Sequence, residues 1–250
     1  MHTKRLLFLI SNTRVMCRSV LMVLMAFFCV NSILGQTINK VVVDSLLDTK
    51  YREDQFYLGA TYNILVNKPE SMVQSGFSIG VHAGFIRDFP VNKKRTFAIG
   101  IGLGLSTNSF NQNLGVLIDD NNANFTILND ANISFSRNRF QTHLIELPIE
   151  FRWRNSTPKA YKFWRVYSGF KMGYIFANSY TFEGEPNAVN YNNVDIFNDV
   201  QYGLTLSAGY HTWNIHVYYS LNTLFKEARL ENNTAINVRV IKVGLLFYLF

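Results

Sequence analysis

The chain has 250 residues, 48% hydrophobic, 15% aromatic and 16% charged, with a formal net charge of +7 and two cysteines. Four positive charges (Lys4, Arg5, Arg14, Arg18) fall in the first 35 residues, so +7 less four leaves +3 for the rest, which removes any argument for nucleic-acid binding. Cys17 and Cys29 lie there too, leaving residues 36–250 without a thiol for a disulfide or a thiolate metal site.

Residues 1–35 carry no acid and contain the apolar run 20–30, the layout of a secretory signal. A start at Met16 would give a more conventional one, and cleavage after Gly35 would leave Gln36 at the new terminus. The run is shorter than the ~20 residues of a bilayer-spanning helix, and Phe28 before Cys29 disfavours a lipoprotein signal. Residues 36–54 are mixed and charged and are expected to form a periplasmic leader, and residues 55–250 a barrel.

Eight strands are expected at 55–65, 76–87, 97–107, 139–154, 163–179, 200–211, 214–224 and 236–250. In the third, Ile99, Ile101, Leu103 and Leu105 alternate with Ala98, Gly100, Gly102 and Gly104, the period of two of a strand. A soluble strand would set polar residues opposite the apolar ones. Glycine there suits the crowded interior of a narrow barrel. The connections alternate in length. Residues 107–138 and 180–199 are rich in Asn and Asp and read as solvated outer loops, whereas 88–95, 155–162 and 211–213 are short and read as periplasmic turns. The fold class expected is all-β, an eight-stranded antiparallel transmembrane up-and-down barrel.

Charge decides which face meets lipid, because a basic residue at mid-bilayer costs ~2–4 kcal/mol. Phe77, Ile79, Val81, Ala83 and Phe85 are expected outward with Ser78, Gly80, His82 and Gly84 inward. Likewise Ile145, Leu147, Ile149, Phe151 and Trp153 face out with Glu146, Pro148, Glu150, Arg152 and Arg154 inside. In the fifth strand Trp164, Val166, Phe170, Met172, Tyr174 and Phe176 face out, and Arg165, Tyr167, Gly169, Lys171 and Gly173 in. The last strand is in conflict. Turning Phe250 to lipid takes Lys242 with it, while the preferred opposite parity turns Val243, Leu245, Phe247 and Leu249 outward.

No nucleophile elbow, P-loop, zinc-ligand pair or dinucleotide fingerprint appears, so no catalytic, cofactor or metal residue is assigned. The histidines His82, His143, His211 and His216 are scattered over four strands, which speaks against the His and Ser pair of a lipid A modifying barrel. Glu146, Glu150, Arg152, Arg165 and Lys171 come from neighbouring strands and are expected to meet inside as a structural charge cluster. The turn carrying Lys93, Lys94 and Arg95 either stays in the periplasm during assembly or meets a partner there. A soluble lipocalin-like barrel is the remaining alternative, and it leaves the outward apolar residues unexplained.

Five stretches carry a resemblance: YREDQFYLGATYNIL (51–65), GFIRDFPVNKKRTFAIGIGLG (84–104), HLIELPIEFRWRNSTPKAYKFWRVYSGFK (143–171), QYGLTLSAGYHTWN (201–214) and the closing KVGLLFYLF. With these the chain resembles the PorT family. The resemblance implies a non-enzymatic outer-membrane barrel of the type IX secretion system of Bacteroidota, needed to export cargo with C-terminal sorting domains and, in gliding members, adhesins. The implied partners are outer-membrane lipid, other secretion components and the barrel-assembly machinery. A generic small barrel for adhesion or passive transport is the alternative.

Overall fold

The computed structural model describes residues 55–119, 122–128, 133–155, 163–185 and 188–249; the expected signal and leader, Phe250 and most of the 155–162 turn lie outside them. No helix occurs among the described residues. The strands are β1 (Gln55–Val66), β2 (Ile79–Pro90), β3 (Phe97–Asn111), β4 (Leu114–Asp119), β5 (Asn122–Ile127), β6 (Phe135–Arg154), β7 (Trp164–Gly184), β8 (Val189–Asn192), β9 (Val200–Tyr210), β10 (Trp213–Ser220) and β11 (Arg239–Leu249).

Eight of these close a ring in the order β1-β2-β3-β6-β7-β9-β10-β11, antiparallel throughout, with β11 pairing back to β1 from Phe56↔Leu249 to Val66↔Arg239. Closure leaves the ring no free edge to satisfy in lipid. Pairing also fixes the stagger. From Leu144 the paired residues run through Ser106, His82, Gly59, Leu246, Asn214, Gly209 and Arg165 and return to β6 at Arg154, ten residues along. A ten-residue stagger over eight strands tilts them by roughly 40°, given ~3.3 Å rise and ~4.8 Å spacing.

Burial follows the expected faces. On β6 the outward residues Ile145, Leu147, Ile149, Phe151 and Trp153 are exposed, and the inward Glu146, Glu150, Arg152 and Arg154 are buried. The conflict on the last strand resolves for the preferred parity: Lys242, Leu246 and Tyr248 are buried inside and Val243, Leu245 and Leu249 face out. On β7 the apolar outward track runs from Trp164 to Phe176. Twelve steps at this tilt span roughly 30 Å along the axis, enough for a ~25 Å apolar band and its aromatic girdles. All three tryptophans, Trp153, Trp164 and Trp213, lie outward near the rim where β1 begins and β11 ends. Trp164 meets Tyr210 at 5.3 Å and Trp213 meets Phe247 at 4.6 Å between ring centres, forming part of such a girdle.

At the opposite rim the structure departs from the expectation of open, solvated loops. The segment expected as one loop (107–138) instead extends β3 and β6 and folds the β4–β5 hairpin, and β8 pairs with the end of β7. Loop and strand-end residues together build an apolar core that includes Met72, Leu114, Val116, Phe125, Phe197, Phe225 and Ile236. Phe140 is its hub, with Tyr180, Phe197 and Phe225 at 5.1, 5.7 and 5.4 Å. The asparagines pin this cap: Asn198 Nδ2 donates to Thr223 O and Phe225 O, and Asn113 Nδ2 donates to Ser71 O while its Oδ1 accepts from Val73 N. Amide side chains here replace the ladder bonds that irregular backbone lacks. On the cap surface the Asp195 carboxylate, hydrogen-bonded to Lys226, raises that ammonium's pKa above its ordinary value.

Candidate functional site

A barrel of eight strands has room inside for side chains and little else. The β3 glycines determine how that room is used. A Cβ on Gly100 would meet Arg152 Cδ at 2.7 Å and Ile86 Cγ2 at 2.9 Å, and one on Gly102 would meet Ile86 Cγ1 at 2.6 Å. Gly104 leaves space in the same way for the ring of Tyr57. Their absent side chains therefore let Arg152, Ile86 and Tyr57 lie across the interior.

All five residues of the expected cluster are buried inside, and they divide into two layers. In the layer nearer the cap, Glu146 on β6 is the centre. Its Oε2 lies 3.2 Å from Lys171 Nζ and 3.6 Å from His82 Nδ1, and its Oε1 accepts a 2.8 Å hydrogen bond from Ser106 Oγ. Lys242 Nζ, from β11 on the far side of the ring, is 4.0 Å from Oε1. In the layer nearer the turns, Arg152 is ion-paired with Asp88 and donates to Gln55 Oε1, and Arg154 also pairs with Asp88. Glu150 Oε2 lies 3.5 Å from Arg152 Nε. The Arg152 guanidinium sits 4.0 Å from the Tyr167 ring centre, and that of Arg165 sits 4.6 Å from Phe163 and 5.7 Å from Tyr248. Glu146 and Arg152 thus join different layers, but both tie the middle strands to the first or last one.

Sequence reasoning placed Asp88 in a turn, whereas it belongs to β2 and faces inward. Gln55 and the ring of Tyr57 were missed as members of the interior, whereas the preferred parity of the last strand already turned Tyr248 inward. Inward parity on β2, continued past Gly84 by steps of two to Ile86 and Asp88, was the signal that could have found Asp88. Among the described residues the buried charged side chains are five cations (Arg152, Arg154, Arg165, Lys171, Lys242) and three anions (Asp88, Glu146, Glu150). Among these eight the cations outnumber the acids by two. Aromatic faces over Arg152, Arg165 and Lys242 supply part of the remainder.

Fully buried hydroxyl–imidazole contacts occur twice among the described residues, Thr61 Oγ1 to His82 Nε2 at 3.0 Å and Ser207 Oγ to His216 Nδ1 at 2.7 Å. All four residues are buried between the cap and the arginine layer. His143 lies instead against Thr107 and Phe176, and His211 in a turn. The arrangement is that of a filled interior: beneath an apolar cap, the two charged layers pack together with a second buried apolar cluster of Tyr57, Ile86, Tyr167, Leu246 and Tyr248.

Comparison with curated proteins finds no match. Residues 36–226 match the family described as outer membrane protein beta-barrel domain, a match that takes in β1 to β10. With its lipid-facing wall, aromatic girdle and closed ring, this chain belongs to the outer membrane protein beta-barrel domain family.

Proposed function

We propose that this outer-membrane barrel is a non-enzymatic component of the type IX secretion system, acting through its surfaces and not through its lumen. The observation that carries the second half is the filled interior, in which Glu146, Arg152 and their partners occupy the axis under an apolar cap. The first half rests on the PorT-like strings, chiefly IELPIE (145–150) and FWRVY (163–167). In this reading residues 1–35 export the chain, the barrel-assembly machinery inserts it, and the short turns face the periplasm. Lys93 and Lys94 are exposed on a turn held by Asn92, whose Oδ1 accepts from Phe97 N at 3.1 Å, so this turn is the first place to look for a periplasmic partner.

The test is secretion of a reporter bearing a sorting domain in a clean deletion strain, with complementation and a parallel outer-membrane blot. Loss of the reporter from the medium, restored by complementation, is the expected result. Normal secretion from the deletion strain would refute the secretion role while leaving the barrel intact.

A further inference from the structure

Between the cap and the charged layer lies a cavity bordered by Lys171, Lys242, Glu146, Thr142, Gln201 and Tyr218, with about 20 Å³ open to the centre of a water molecule. That exceeds the ~10–15 Å³ one water needs, so the space admits a small guest. Two ammonium groups border this space and one carboxylate serves both, at 3.2 Å for Lys171 and at the 4.0 Å limit of an ion pair for Lys242. No other acid among the described residues is ion-paired with Lys242, whose ammonium also lies 5.1 Å from the centre of the neutral Tyr218 ring. The histidines of the layer, His82 and His216, add no negative charge. An excess buried cation is costly unless something neutralises it.

We propose that the cavity is a binding site for a small inorganic anion of the halide class, held by Lys171 and Lys242 beneath the apolar cap. The anion supplies the second negative charge that Glu146 alone lacks. It enters as the barrel closes, so it is part of the folded protein and not a transported substrate. This inference does not depend on the secretion role.

The test uses the whole protein purified in detergent, with bromide replacing chloride in the crystals and chloride compared with gluconate at equal ionic strength in solution. The expected result is an anomalous bromide peak beside Lys171 and Lys242 Nζ, and a thermal unfolding midpoint higher in chloride than in gluconate. Lys242→Met should lose that chloride dependence. A peak without any chloride dependence means an adventitious ion only, and density with no anomalous signal means water; either result overturns the proposal.

Discussion

Replacing Glu146 by Leu removes the one carboxylate of the upper layer and leaves two buried ammonium groups facing each other's field. At an effective dielectric of about 20, the contact with Lys171 is worth about 5 kcal/mol and that with Lys242 about 4 kcal/mol. Desolvating the carboxylate offsets several of these, so the net loss should be about 3–5 kcal/mol, the usual cost of breaking a buried ion pair by removing one partner. That shifts the folding equilibrium by roughly two to three and a half powers of ten. Urea unfolding in lipid vesicles, followed by fluorescence of the lipid-facing Trp153, Trp164 and Trp213, reads the change. Glu146→Gln retains a carbonyl acceptor for Ser106 and should lose less. The triple variant Glu146→Leu, Lys171→Met, Lys242→Met should regain most of the loss, because an apolar replacement of the whole group leaves no charge stranded. A Glu146→Leu protein within about 0.5 kcal/mol of wild type would refute the reasoning that this layer is held by its charges.

Gly244 lies inward at the β1–β11 seam, where a Cβ would stand 2.6 Å from Thr61 Cα, a backbone atom that cannot swing aside. Gly244→Ala should therefore cost about 1–3 kcal/mol and reduce the yield of heat-modifiable, closed barrel on electrophoresis. Leu204→Arg puts a cation on the outward face of β9 and should destabilise the vesicle-inserted protein by about 2–4 kcal/mol, with a smaller effect expected for Trp213→Arg at the interface. Phe225→Ala empties a buried position packed against Phe125, Phe140 and Phe197 and should cost about 3–5 kcal/mol. If protease susceptibility of the loops is unchanged in that variant, the cap is not the packed unit described.

The barrel was legible in the sequence because two independent constraints agree along each strand. Alternation in Phe97 to Leu105 sets the period, and inward charges such as Glu146, Glu150 and Arg152 set its phase, since lipid does not tolerate them. The same argument placed Lys242 inside against the pull of a terminal aromatic. The cap was not legible. Its apolar residues, Leu114, Val116, Phe125 and Leu128, sit among Asn and Asp whose composition reads as open loop, although the pattern around the β4–β5 hairpin does alternate. What composition conceals is that Asn113 and Asn198 spend their amides on neighbouring backbone and not on water. The partners of the charged cluster were only half visible because pairing across the lumen, as between Lys242 on β11 and Glu146 on β6, depends on the stagger of the closed ring. Strand order alone does not contain that distance.

The measurement that tests the filled interior most directly is single-channel recording of the purified protein in planar lipid bilayers. Among the described residues the side chains of Glu146, Arg152, Tyr167 and Tyr248 are buried across the interior with the cap above them, so the wild-type barrel should insert without stepwise conductance. Reproducible conductance steps from wild-type protein would contradict the account.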